Sequence, residues 1–225
     1  MARSSAPTSA KGRLERQLFE QNLSFAGVDE VGRGCLAGPV YAGCAVLDWA
    51  RLIKLPASDL ALIRDSKQLS PKQRASITPV IQAVCKKFSV ASASVVEIDR
   101  LGILPACFLA MRRAIAQCGE VDLVLVDGKL PIPGYEGEQM AIVKGDATTF
   151  SIAAASILAK TARDHFMQEM ADIYPGYGFA AHVGYGTKAH IGSIGALGIC
   201  ELHRTSFAPI RQYRENKSLC TGGSG

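Results

Sequence analysis

The segment Gly27-Val28-Asp29-Glu30-Val31-Gly32-Arg33-Gly34 constrains this chain more than any other. A short strand, Ser24 to Asp29, runs directly into two adjacent carboxylates and a glycine turn. Consecutive strand residues point to opposite faces, so one of Asp29 and Glu30 faces the core side unless the strand ends there. A carboxylate near a core is costly unless it is paired or metal-bound. Val121 to Val126 raises the same question: this β-rich run reads as a buried parallel-type strand and ends in Asp127-Gly128. Where parallel strands are covered by helices, ligand sites gather at the carboxyl ends of strands. Asp29 and Asp127 both occupy such ends.

The remaining pattern supports a sheet of this kind. Val40 to Leu47 reads as a strand, as do Phe88 to Val95 and Met140 to Val143. Ser70-Pro71 opens a helix with an N-cap and a proline at the first position, and Pro79 is expected to kink or break it. Helices are predicted over Ile103 to Gln117, Phe150 to Ile173 and Lys188 to Leu197, with a polar, glycine-rich stretch from Tyr174 to Thr187. The alternation predicts an α/β fold, a mixed sheet with helices packed on it.

At 225 residues, 48% hydrophobic and 20% charged, the chain has the make-up of a soluble globular protein of one large domain or one domain with an appendage. The longest charge-free apolar run, Gly34 to Leu47, falls short of the roughly 20 residues that a membrane helix needs. Residues 1–20 carry Arg3, Lys11, Arg13 and Arg16 without the apolar stretch of a secretory signal, and read as a disordered tail. Residues 215–225 read likewise. The seven cysteines are odd in number and lack C-x-x-C spacing, which suggests buried thiols in a reducing, cytoplasmic setting, with neither a disulfide framework nor a zinc site. The net charge of +5 permits an anionic partner without demanding one.

A fourth acid, Asp164, shares a helix face with Lys160 at i, i+4. Each acid also has an ordinary reading: Asp164 paired with Lys160 or Arg163, Asp29 and Glu30 as caps of a turn, Asp127-Gly128 as a turn dipeptide. Taken together, four carboxylates offer the oxygen donors that Mg²⁺ and Mn²⁺ prefer, and two such ions can clamp the attacking and leaving oxygens of a phosphodiester. Gly32, Gly34 and Ala37 formally match a dinucleotide fingerprint, yet Gly38-Pro39 would stop the required helix and the two acids would repel a pyrophosphate. A non-catalytic nucleic-acid-binding protein would have no use for the four acids, and an exonuclease would need free ends.

GVDEVGRG (27–34), AGPV (37–40), RDSKQLSPKQR (64–74), VDG (126–128), KGDATTFSIAAASILAKTARD (144–164), YPGYGF, GYGTKAH and HRTSF (203–207) occur in order. This series resembles the type 2 ribonuclease H family, in its bacterial ribonuclease HII branch. The resemblance implies an RNase H-like fold over residues 21–214: a mixed five-stranded sheet flanked by helices, with a helical C-terminal part. It implies a metal-dependent endonuclease that cleaves RNA in RNA–DNA hybrids, and cuts 5′ of ribonucleotides embedded in duplex DNA, leaving 3′-hydroxyl and 5′-phosphate ends. By motif position Asp29, Glu30, Asp127 and Asp164 are expected to hold two Mn²⁺ or Mg²⁺ ions. The backbone of Gly32, Arg33 and Gly34 is expected at the 2′-hydroxyl, Tyr185 against the next sugar, and Lys67, Lys144 and Arg204 near phosphates. A monomer that removes ribonucleotides from DNA is the implied default. The chain departs from the family pattern at Cys35, Pro79, Gly102 and Val183, where Pro, a helix-forming residue, Asn and Lys are usual; these departures bear on affinity and local helix geometry more than on the reaction.

Overall fold

The computed structural model describes residues 11–221, with side chains described through residue 215. Its centre is a five-stranded sheet in the order β3-β2-β1-β4-β5, built from β1 (Phe25–Val31), β2 (Val40–Leu47), β3 (Cys85–Ala93), β4 (Leu123–Asp127) and β5 (Gln139–Ile142). β1, β2 and β3 pair antiparallel, whereas β1, β4 and β5 run parallel. The mixed sheet expected from the sequence is therefore present.

The helices follow in chain order: α1 (Arg13–Glu20), α2 (Trp49–Leu52), α3 (Ala57–Leu62), α4 (Pro71–Val84), α5 (Val95–Leu101), α6 (Ile103–Cys118), α7 (Gly145–Thr148), α8 (Phe150–Ile173), α9 (Phe179–His182), α10 (Lys188–Leu197) and α11 (Ala208–Thr221). Two cores flank the sheet. Phe25, Leu125, Ile152 and Ile157 lie in the layer with α8 and α4. Val28, Val126, Cys107 and Met111 lie in the layer with α6. Each fully buried aliphatic side chain of this kind contributes about 1.5–3 kcal/mol.

Helix α8 lies close against the sheet because two strand positions lack a side chain. A Cβ on Gly27 would sit 2.2 Å from the Ser151 carbonyl carbon, and one on Gly43 2.2 Å from the Ala155 oxygen. This contact brings Ser156 of α8 under Asp29.

Three expectations are corrected. Arg13–Glu20 is a helix, not a tail: Leu18 is buried, and the fully buried Glu15 accepts hydrogen bonds from the amides of Phe150 and Ser151 at 2.7 Å each, capping α8. At the other end α11 continues through Thr221; positions 1–10 and 222–225 lie outside the described residues. Pro79 neither ends nor splits α4, which runs on to Val84 with Ile77, Ile81 and Val84 buried; burial of that face outweighs the missing amide. Its N-terminus follows the expectation, with a reciprocal Ser70–Gln73 capping box. Among the described cysteines, Cys35, Cys44, Cys85, Cys107 and Cys118 are buried free thiols and Cys200 is half-buried. Among the described residues no helix is long and apolar enough to cross a membrane.

Candidate active site

Strand register brings the first two acids together. In the parallel β1–β4 pair the last matched positions are Val28 and Val126, and Asp29 and Asp127 each follow one residue later. By strand alternation both point to the α8 side, while Glu30 points to the α6 side, beside a cleft lined by Leu104, Cys107 and Phe108. Asp29 is only 6% exposed. It accepts from the Glu30 amide at 2.7 Å and from the Ser156 hydroxyl, which in turn lies 2.9 Å from the Ser66 hydroxyl.

Burial raises Asp29 well above the usual carboxylate range, and the neighbouring charges of Glu30 and Asp127 raise it further. Glu30 is raised by burial, with Arg33 opposing and Asp127 adding to the shift; its carboxylate lies 3.9 Å from the Arg33 guanidinium.

The structure adds an acid that the sequence reading passed over. Asp127 Oδ1 accepts from the Gly145 amide at 2.7 Å and, more weakly, from the Asp146 amide at 3.4 Å. The loop after β5 thus hangs from Asp127 and presents Asp146 to the same site. Asp146 is raised by burial, then by Asp127 and Asp65. A signal was available: Asp146 follows the carboxyl end of a predicted strand, as Asp29 and Asp127 do.

Asp164 stands differently. Its Oδ2 accepts from Arg74 Nη2 at 2.9 Å and its Oδ1 from Lys160 Nζ at 2.7 Å, so both oxygens are taken by largely buried cations. The ordinary reading of Asp164 as an ion-pair partner of Lys160 describes this arrangement, and the ligand expectation does not.

Arg204 is likewise displaced from its expected role. It is fully buried, and donates to the carbonyls of Gly32 at 2.7 Å, Arg33 at 3.0 Å and Gly38 at 2.8 Å. It holds the glycine loop from behind, with its guanidinium turned inward. Arg163 does similar work through Ala37, Pro39 and Val183. Gly32, at φ +91°, is packed so closely that a Cβ would meet Arg163 Nε at 2.1 Å, whereas a Cβ on Gly34 would meet nothing within 4 Å. The loop is therefore fixed behind Gly32 and open in front of Gly34.

Lys67 is exposed, and although burial lowers its pKa, Asp29 and Asp65 outweigh that and raise it, followed by Tyr185 and Asp146. Arg33 and Lys144 are exposed, Lys144 at a left-handed φ of 56° just before α7. Tyr185 is half-buried, its ring 5.7 Å from Lys160 Nζ and its hydroxyl bonded to Cys35.

Asp29, Glu30, Asp127 and Asp146 supply oxygen donors alone, the donor type that suits hard divalent cations. Three of them are raised first by burial and then by a neighbouring carboxylate, which for Glu30 acts against Arg33. Among the described residues no three His, Cys, Asp or Glu side chains stand close enough together to hold a metal ion on their own.

Residues 26–210 match the family model described as Ribonuclease HII. The chain belongs to the ribonuclease HII family. It is 50% identical over 198 residues to Ribonuclease HII of Nitrosomonas europaea, covering 87% of this chain and 88% of that one. With Ribonuclease HII of Nitrosococcus oceani the identity is 48% over 205 residues, covering 91% and 97%. In fold it is similar to the ribonuclease H2 from Pyrococcus horikoshii, with a TM-score of 0.70 at 24% identity over 86% of this chain and 98% of that one. Bst-RNase HIII in complex with Mn²⁺ superimposes with a TM-score of 0.68 at 20% identity over 96% and 76%. Family membership makes this protein a nuclease, a ribonuclease H endonuclease.

Proposed function

We propose that this ribonuclease HII cuts the RNA strand of RNA–DNA hybrids, and cuts duplex DNA on the 5′ side of an embedded ribonucleotide, leaving 3′-hydroxyl and 5′-phosphate ends. The observation that carries the reading is that Asp29 and Asp127 each lie one residue past the last matched pair of the parallel β1 and β4, beside Glu30 and Asp146. Mn²⁺ or Mg²⁺ held by Asp29, Glu30, Asp127 and Asp146 would supply an activated water and stabilise charge on the departing 3′ oxygen. The Mn²⁺ complex of the HIII neighbour supports divalent metal use. Asp164 enters this reading as the acid that fixes Lys160 and Arg74.

The chain's own groups supply recognition. The backbone of Gly32, Arg33 and Gly34 approaches the ribose, where a 2′-hydroxyl distinguishes RNA from DNA. Tyr185 packs against the following deoxyribose. Lys67, Lys144 and Arg33 are free to meet phosphates; Arg204 acts behind them by holding the loop. The protein works as a monomer on ribonucleotide-containing duplexes.

The test uses a closed DNA duplex with one internal ribonucleotide, incubated with Mn²⁺, Mg²⁺ or chelator, beside an all-DNA duplex. A single metal-dependent cut immediately 5′ of the ribonucleotide is expected. Binding without cutting under either metal would overturn the reading.

A further inference from the structure

Two residues adjacent in sequence, His203 and Arg204, reach the two elements assigned above to sugar recognition. Arg204 donates to the Gly32 and Arg33 carbonyls, and its amide donates to the Leu36 carbonyl at 2.8 Å. The Leu36 amide in turn donates to the Gly184 carbonyl, at 2.8 Å, immediately before Tyr185. His203 reaches Tyr185 by another route, through His190. Asp99 of α5 accepts from the amides and hydroxyls of Thr205 and Ser206 and fixes this segment from the far side.

The hydrogen bonds set a direction. The Cys200 amide, which can only donate, lies 2.9 Å from His203 Nδ1, nearer than the Cys200 carbonyl at 3.2 Å, so that nitrogen accepts. The Cys200 thiol, 3.2 Å away, can donate to the same lone pair. A neutral His203 then carries its proton on Nε2, which donates to His190 Nε2 at 3.1 Å. His190 is left with its proton on Nδ1, which donates to the Tyr185 carbonyl at 2.9 Å. That carbonyl also accepts from the Thr187 amide at 2.8 Å. His182 stacks on His190 at 4.3 Å and is fixed separately, accepting from the Gly184 amide at 3.2 Å and donating to the Tyr177 carbonyl at 2.8 Å. His190 and His203 are fully buried. The whole chain is satisfied in one tautomeric arrangement.

We propose that His190 and His203 are positioning residues that register Tyr185 against the glycine loop held by Arg204, and so set the enzyme's preference for ribose–deoxyribose junctions. The proposal rests on the roles assigned above to Tyr185 and the glycine loop. Neither histidine touches substrate. Loss of the His190 ring would leave the His203 donor unpaired and the Tyr185 carbonyl with one partner fewer, freeing the loop that carries the tyrosine.

The test measures kcat/KM on a duplex with one embedded ribonucleotide and on a uniform RNA–DNA hybrid, and takes the ratio. His190→Ala is expected to lower the ratio about five- to tenfold, the size of a lost buried hydrogen bond. His190→Asn, whose amide N–H stands where Nδ1–H stood, is expected to recover most of it. In a Tyr185→Ala background, His190→Ala is expected to change the ratio by less than about twofold. An unchanged ratio in His190→Ala, or an equal loss without Tyr185, overturns the coupling alone; a wild-type protein that cuts neither substrate overturns the functional reading as well. Should the variant not fold, imidazole ¹⁵N spectra of the wild-type protein decide: Nδ1–H on His190 with Nε2–H on His203 is expected, and the opposite tautomers overturn the proposal.

Discussion

Asp127 accepts the Gly145 amide at 2.7 Å and so holds the loop that delivers Asp146. One carboxylate therefore does two things: it lines the site and it fixes the backbone of the next acid. These duties separate on mutation. Asp127→Asn keeps an acceptor oxygen for Gly145, so its melting temperature is expected to stay near that of the wild type while cleavage falls about 100-fold or more. Asp127→Ala is expected to lose the same activity and a further 1–2 kcal/mol or so of stability. Thermal melts beside single-turnover cleavage check both.

Gly32 and Gly34 are separable in the same way. Alanine at Gly32 would be forced to a positive φ and against Arg163, so Gly32→Ala is expected to cost about 2 kcal/mol or more and to disorder the loop. Alanine at Gly34 meets nothing within 4 Å. Gly34→Ala is therefore expected to melt normally, yet to show a KM raised several-fold, because the methyl stands where the ribose approaches. A normal KM would place the substrate elsewhere.

Glu15 ties α1 to α8 through two amides, although burial raises its pKa. Glu15→Ala leaves both amides without that partner and is expected to cost about 2–3 kcal/mol in urea unfolding. Activity per folded molecule is expected to drop as well, because Lys11 of the same segment donates to the Asp146 carbonyl at 2.8 Å.

Buried histidines give the fold an acid limit. Burial, followed by the charge of His190, pushes His203 down to about 4 from an ordinary 6.5. The unfolded chain takes up the proton at the higher value, so the contribution of His203 to stability is full above about pH 6.5 and is lost as pH drops toward about 4, by on the order of 2–3 kcal/mol. Urea denaturation across that range checks the slope, which is expected to flatten in His203→Asn.

Much of this was readable in the chain, and the exceptions have physical causes. Asp29 and Asp127 could be found because each follows an apolar, β-rich run, and α8 because helix-forming residues fill it and Pro175-Gly176 closes it. α1 was missed because its burial rests on Leu18 and on Glu15, an acid whose partners are the distant amides of Phe150 and Ser151. Arg204 looked like a phosphate contact because sequence does not reveal that a guanidinium points inward at the carbonyls of Gly32 and Arg33. Asp164 and Asp146 lie in one motif, and spacing alone could not tell an ion-pair acid from a site acid. Tertiary contacts separate them: Arg74 and Lys160 close on Asp164, while Asp127 reaches the loop of Asp146.

That separation is tested most directly by comparing Asp146→Asn and Asp164→Asn on the single-ribonucleotide duplex with Mn²⁺, each beside its thermal melt. The expected result is that Asp146→Asn melts like the wild type and loses cutting about 100-fold or more. Asp164→Asn, which leaves two partly buried cations underpaired, is expected to lose about 2–4 kcal/mol of stability and to keep most of its cutting per folded molecule. Full cutting by Asp146→Asn, with none by a well-folded Asp164→Asn, would contradict the site described here.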